Sequence, residues 1–376
     1  MKIGIDARFY GSVGKGLGRY AQKLIENLEN IDDENQYFVF LLKENFDEFQ
    51  PNNKNFQKVL ADFRWYTFAE QIKFPLLLRK YNLDVMHFPH FNVPIFYRKK
   101  IIITIHDLIL LNFPTLRGTR LNPIFYWLKF LAYKLTIGSA IRRSQRVITV
   151  SNFSKEDILK NYPKLKKEKV AVTYEACDLK NKIQEAGLKN SDKILEKYGI
   201  IKPHLLYVGN AYPHKNLEGL LGAWKIYDGK NKNLKLVLVG KKDFFYRRIQ
   251  KKIKKEKIVN VVLAGFVSDE DLDAVYQEST AYIFPSLYEG FGLPPLEAMA
   301  MGVPVISSNH GCMQEILGDS ARYFDARNFQ SIIAAIEKIT QDENLRKELI
   351  QKGYQKIKEY SWEKMARETL RIYNDV

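Results

Sequence analysis

Cysteine is nearly missing from this chain. Its 376 residues hold two, Cys177 and Cys312, far apart, which excludes a disulfide framework and fits a reducing compartment. Long apolar runs are missing too. The nearest, IFYWLKFLAYKLTIGSAI over 124–141, is interrupted by Lys129 and Lys134, whereas a spanning helix needs about 20 largely apolar residues. The start, MKIGIDARFY, carries Asp6 and Arg8 inside its apolar run and therefore reads as a first strand, not a signal peptide. A soluble or peripheral protein is expected. Acids are scarce in one region: between Lys73 and Arg146 stand 13 Lys/Arg and only Asp84 and Asp107. No segment is polar enough to read as disordered.

The charge that is present is uneven. Residues 1–197 hold 33 Lys/Arg against 21 Asp/Glu, and the remainder 26 against 22, within a total net charge of +16. A basic first half expects an anionic partner: nucleic acid, a phosphate-bearing substrate or a lipid surface. The length suits about two to three domains. Short β-rich runs alternate with helical patterns, which argues for parallel sheets built from βα units. The first half gives strands at MKIGIDARF, YFVFLL, DVMHF, KIIITIH, RVITV and KVAVTY, with helices over 17–30, 65–81 (kinked at Pro75), 122–143 and 152–161. The stretch CDLKNKIQEAGLKNSDKILEKYGIIKPH holds no strand and marks the domain boundary. Strands resume at HLLYVG, LKLVLVG, VVLAG, AYIFPS, VPVISS and ARYF, and the chain from Asn328 is helical. Two Rossmann-like halves follow, with substrate expected where the carboxyl ends of the strands point.

The most informative segment is SLYEGFGLPPLEAMAMGVPV, residues 286–305. Two glutamates, Glu289 and Glu297, stand eight apart in a run otherwise free of charge. Pro294 and Pro295 suit a first helical turn, where a missing N–H costs nothing. Glu289 then lies in the loop before that helix and Glu297 within it. The loop glycines allow close backbone approach, and the free N–H groups of Gly292 and Leu293 form an anion site. The helix dipole alone would account for Glu289 but leaves Glu297 unexplained. In YVGNAYPHKNLEGLL, Lys215 falls at a βα turn, where a cation can grip a diphosphate; read alone, it is equally a solvated loop lysine. TIHDLILLNFP puts His106 at the end of a central strand, with Asp107 orienting the loop.

Other segments read more plainly. His87 and His90 in HFPH have a metal-like spacing, but Pro89 prevents a helix and no third ligand is evident, so both are expected to be structural. GKGLGRY has the spacing G-x-G-x-G, which fails the dinucleotide fingerprint. Ser151 in VSNFSKEDI reads as a helix N-cap. Asp269, Asp271 and Asp273 in SDEDLDA are explained by Ser268 as an N-cap with acids in the first turn, and no metal is expected.

Strand, then E-G-F-G-L-P-x-L-E-A-M-A-x-G-x-P-V, resembles the Glu-x7-Glu signature of retaining glycosyltransferase family 4, which has the GT-B fold. The resemblance covers nearly the whole chain. It implies an α/β protein of two Rossmann-like domains facing each other across a cleft, with C-terminal helices packing across both. The expected domains are an acceptor-binding 1–190, a nucleotide-sugar-binding 191–355 and a helix 356–376 returning to the first. The resemblance further implies catalytic roles for His106, Lys215 and Glu289, with Glu289 under the transferred sugar and Glu297 on the ribose hydroxyls. Donor contacts would come from Gly16, Gly18, Gly209, Asn210, His214, Lys215, Gly290, Phe291, Gly292 and Leu293, and acceptor contacts from Arg19 and Ser151. SSNHGCMQEIL departs from the family's usual SSLPE ending, though Glu315 keeps its place.

A metal-independent hexosyltransferase without cofactor is thus expected. TIHDL with PHKN is similar to mannosyltransferase-type members of surface-polysaccharide assembly, so GDP-mannose is the first donor and a UDP-sugar the second. The acceptor would be a glycan or lipid-linked, and nucleic acid is not expected. The aromatic and basic segment 121–146 is expected to dock on anionic membrane, placing the protein in the cytoplasm or on the inner face of the plasma membrane. Three rivals stand beside this reading: an NAD-dependent oxidoreductase, a GT-B relative that isomerises or phosphorolyses sugars, and a basic nucleic-acid binder.

Overall fold

Strands buried on both faces read as continuous apolar runs, and the sequence supplies them at regular intervals. The computed structural model describes residues 1–14, 16–119, 122–177, 191–228 and 233–376 and arranges these runs in two parallel sheets. The first sheet is built from β1 (Lys2–Asp6), β2 (Gln36–Leu41), β3 (Phe56–Leu60), β4 (Val85–Phe88), β5 (Ile101–Ile105), β6 (Arg146–Thr149) and β7 (Val170–Val172). Its spatial order is β3-β2-β1-β4-β5-β6-β7, with every pair parallel and Ile5 in register with both Val39 and His87. The second comprises β8 (His204–Val208), β9 (Lys235–Val239), β10 (Val261–Gly265), β11 (Ala281–Phe284), β12 (Val305–Ser308) and β13 (Ala321–Phe324). Its order, β10-β9-β8-β11-β12-β13, repeats that of the first six strands. Both are Rossmann-like.

Strand order reverses between β1 and β4 in one sheet and between β8 and β11 in the other. At such switch points the flanking loops part and leave a crevice outside the carboxyl ends. The fold therefore nominates the loops after β1, β4, β8 and β11 before any side chain is considered.

β3 was not among the expected strands. Its sequence FQKVL carries Gln57 and Lys58, as suits an edge strand that must stay wet on one side. The helix expected over 65–81 is Phe68–Arg79, capped by the Thr67 hydroxyl, and it runs on through Pro75. Behind the first sheet, Phe74, Leu78, Ile137, Ile141 and Ile158 pack with Ile103 and Val147 into one core.

The chain divides into two compact units: residues 1–112, 121–175 and 361–376, and residues 113–120 with 176–360. The short segment Phe113–Arg120, read from sequence as part of the first half, thus counts with the second. The boundary expected at residue 190 adjoins 178–190, which lie outside the described residues. Within the first unit, helix Trp362–Asn374 packs against helix Gly16–Ile31. The buried Tyr373 hydroxyl meets His87 Nδ1 at 2.6 Å, while Thr104 Oγ1 meets Nε2 at 2.9 Å. His87 therefore has both nitrogens occupied inside the fold. Among the described residues no helix is long and apolar enough to cross a membrane.

Candidate active site

In the second unit, β8 ends at Val208 and the chain turns through Gly209 and Asn210 into a 3₁₀ turn, Pro213–Lys215. Asn216 takes the left-handed conformation (φ 57°) and its amide donates to the Ala326 carbonyl at 2.8 Å, ending the turn before helix Leu217–Asp228. Asn210 makes a local turn instead, its Oδ1 accepting from the Tyr212 amide at 3.2 Å. The Leu287 amide donates to the His214 carbonyl at 2.7 Å and ties this loop to the one after β11. The tie spans the switch point.

Across it Lys215 Nζ meets Glu289 Oε1 at 2.6 Å, with side chains only 15% and 8% exposed. Two residues nominated separately, 74 positions apart, thus form one ion pair. Gly292 follows at φ 100°, a left-handed turn that favours glycine, with Met313 Cε where a Cβ would stand. Helix Leu293–Ala300 begins there with Pro294 and Pro295 in its first turn and no side-chain cap. An uncapped helix start carries partial positive charge on its free N–H groups. Glu297 is the half-buried position of the buried run Leu296–Ala300. Phe291 turns inward instead, edge-on to Tyr360 at 5.5 Å, leaving only its backbone for a ligand.

Two histidines feel the charge of Glu289. Burial holds His214 down to about 4, with Glu289 pulling the other way, so His214 is neutral at pH 7. His310 is lowered by burial as well, opposed by Glu289 and assisted by Arg327, and its ring lies 5.1 Å from Tyr288. Sequence reasoning did not single out His310 or Arg327. The departure from the family pattern at HGCMQE was the one signal for His310, and Arg327 had none. Glu315 lies on the next helix, Gly311–Leu317.

In the first unit, His106 follows β5. Glu175 Oε1 lies 3.0 Å from its Nδ1, and the Pro89 carbonyl 3.1 Å from its Nε2. Both ring nitrogens of His106 are thus engaged within the first unit. Glu175, buried after β7, is another partner that was missed; its signal was a lone acid in VAVTYEAC. Tyr20, on helix Gly16–Ile31, presents its ring edge-on to His106 at 4.7 Å. Gly18 on the same helix packs so closely that a Cβ would fall 2.2 Å from the Gly11 carbonyl oxygen, while Gly16 has open space and Arg19 is half-buried. Ser151 caps helix Asn152–Asn161 through the Ser154 amide at 3.0 Å. Asp107 accepts from the Ile109 amide at 2.9 Å and so holds its own loop.

Asp271 bonds Lys197 and Tyr198, each at 2.7 Å, and its amide is capped by Ser268, so this acid ties its own helix to the end of helix Ser191–Lys197. Among the described residues no group of three or more His, Cys, Asp or Glu is arranged to hold a metal ion.

Residues 14–181 match the family model Glycosyltransferase Family 4, and residues 190–356 match Glycosyl transferases group 1. The O-antigen chain mannosyltransferase B of Escherichia coli is 27% identical over 95% of this chain and 95% of its own. O-antigen chain mannosyltransferase RfbU of Salmonella typhimurium is 26% identical over 88% of this chain and 89% of its own. Among solved structures, Anabaena HepE in complex with UDP-glucose superposes with a TM-score of 0.75 at 14% identity, covering 100% of this chain and 99% of that one. Fold, switch-point loops and both family matches agree: the chain is a GT-B protein and belongs to glycosyltransferase family 4.

Proposed function

We propose that this glycosyltransferase is retaining and metal-independent, and that it moves a hexose from a nucleotide-sugar to a glycan or lipid-linked acceptor in surface-polysaccharide assembly. Mannose from GDP-mannose is the first choice, after the two mannosyltransferase relatives. A UDP-sugar is the second, after the UDP-glucose bound to HepE.

The observation that carries the reading is the Lys215–Glu289 pair beside the uncapped start of helix Leu293–Ala300. A leaving diphosphate gains negative charge as the glycosidic bond breaks. Lys215 and the Gly292 and Leu293 amides would meet that charge without a metal ion. An ammonium has three donors, so Lys215 can hold Glu289 and still reach a phosphate. Glu289 would face the sugar as its anomeric carbon becomes oxocarbenium-like. Glu297 would take the ribose hydroxyls, and neutral His214 would act as an uncharged donor or acceptor beside them. His106, whose two ring nitrogens are engaged by Glu175 and the Pro89 carbonyl, would bond a sugar only by releasing one of them. Incubation with GDP-mannose and with UDP-sugars, followed by NMR of the product anomer, tests donor and stereochemistry together. An inverted anomer contradicts the retaining reading.

Membrane docking belongs to the same proposal. Along helix Pro123–Arg143, Ile124 is 70% exposed, Phe125 62%, Trp127 50%, Leu128 58% and Leu135 62%, beside Lys129 and Lys134. Tyr126, Phe130 and Tyr133 are half-buried, so only part of the aromatic segment is available. Exposed apolar groups mixed with lysines suit an anionic headgroup boundary. Liposome co-sedimentation should show salt-sensitive binding to anionic vesicles; equal binding to neutral ones would overturn this part.

A further inference from the structure

A second basic feature lies at the opposite end of the first sheet from His106. A cavity of about 800 Å³ is lined by the end of helix Pro123–Arg143, the start of β6 and the segment that leads into β7. Its wall carries Arg142, Arg146, Lys164, Lys166 and Lys169, with Glu168 as the one acid. Arg146 opens β6 and Lys169 directly precedes β7, so the cavity sits at the amino ends of strands whose carboxyl ends lead to Ser151 and Glu175. Five residues of extended chain separate Arg146 from Ser151, roughly 16 Å. The transfer chemistry proposed above uses none of these residues.

Several observations mark the cavity as built for an anion. Lys169 is pulled below its ordinary value by burial, and its ammonium donates to the Arg142 carbonyl at 3.0 Å. Arg146 donates to the Glu168 carbonyl at 2.6 Å and keeps only a distant carboxylate, Asp375 at 3.9 Å. Neither contact neutralises the wall. The Tyr162 hydroxyl is buried without a hydrogen-bond partner. Its ring stands beside Arg142, both within contact of the bare Gly138. A partly buried Lys169 with Arg142, Arg146, Lys164 and Lys166 along the same wall, next to an unmatched hydroxyl, is complementary to a compact polyanion that accepts from several of them. A phosphoryl or pyrophosphoryl group has that chemistry.

We infer that this cavity is a second phosphate-recognising site, separate from the donor loops, and that it takes the phosphoryl or diphosphoryl group of a soluble phosphate ester or of a lipid headgroup. Arg142 and Lys166 grip the phosphate oxygens from the rim. Lys169 and Arg146 supply the inner charge, and Tyr162 donates its hydroxyl.

The test uses the full chain and the double variant Arg142→Glu/Lys164→Glu, at exposed positions outside the transfer machinery. Inorganic pyrophosphate is titrated by calorimetry with GDP or UDP at saturation, so that donor loops able to bind nucleotide are already filled. Pyrophosphate bound by the wild type and weakened roughly 10- to 100-fold in the variant supports a soluble phosphate as ligand. If pyrophosphate is indifferent to the variant, phosphatidylcholine vesicles carrying phosphatidic acid give the second arm. A comparable loss of vesicle binding, additional to whatever Phe125→Ser/Trp127→Ser removes, supports the lipid headgroup. Unchanged binding in both arms overturns the inference. It is decided whether or not the chain transfers mannose.

Discussion

Arg8 follows β1 and Lys215 follows β8, at the same place in two sheets of the same strand order. Both are sheltered cations facing carboxylates, yet their surroundings differ. Arg8 is fully buried and spends its guanidinium inside the protein: on Asp6 at 2.8 and 2.7 Å, on Glu70 at 2.7 Å and on the Phe63 carbonyl at 2.7 Å. Glu70 is closed in turn by Asn92 and the Tyr66 amide, each at 2.7 Å. Lys215 holds one carboxylate and stands beside a helix start that no side chain caps. Position in the fold therefore does not make a cation functional. What separates the two is whether the protein itself satisfies its charge. The first network fastens the β1 end to helix Phe68–Arg79, and the second joins the loop after β8 to the loop after β11 beside an uncapped helix start.

Cutting each network should expose the contrast, and the largest effect belongs to Arg8. Arg8→Ala leaves Asp6 and Glu70 buried without their cation and should cost about 3–5 kcal/mol of stability, read as a shift in the urea midpoint. The same substitution at Lys215 strands one buried carboxylate, Glu289, instead of two, and should move that midpoint by less than Arg8→Ala does. Equal losses at both sites would erase the distinction.

Glu297→Ala comes next. If this carboxylate holds the ribose hydroxyls, donor affinity should fall by roughly 1.5–3 kcal/mol, measured by calorimetry with the fold intact. Unchanged affinity would detach Glu297 from the site.

Smaller still is a pH effect that belongs to the first unit. Burial holds His87 and His90 at about 3. Their folded values lie below the unfolded value near 6.5, so the unfolded chain binds protons that the native chain does not. Their contribution is complete above about pH 6.5 and is lost as pH falls toward 3, at up to about 1.4 kcal/mol per pH unit for each histidine. His87→Gln should flatten that slope; an unchanged profile would mean that the ring already titrates in the native state. His214, held at about 4, should leave no inflection in kcat/KM between pH 5.5 and 8, within that range its charge being constant.

Much of this was legible in the residues. A buried run, two glycines, two prolines and two isolated acids fixed the β11 loop and its helix, because few backbones accept Gly292 and Pro294 in that order. Lys215 was legible as a βα-turn lysine, but its contact with Glu289 was not, since that depends on β8 and β11 becoming neighbours across a strand reversal. His310 and Arg327 stayed hidden for the same reason, arriving from the ends of β12 and β13. β3 was lost to its polar edge residues, and Glu175 to a strand that otherwise reads as core. Local chemistry shows in sequence; partnership waits for topology.

The central claim is that Lys215 meets the leaving diphosphate with no metal ion taking part. The most direct measurement is sugar transfer from GDP-mannose, or from the UDP-sugar that proves active, in the presence of EDTA, with wild type and Lys215→Ala side by side. The account predicts full wild-type turnover in EDTA and a loss of roughly 10²–10³ in kcat for the variant. Turnover abolished by EDTA and restored by Mn²⁺, with Lys215→Ala as active as wild type, would contradict it.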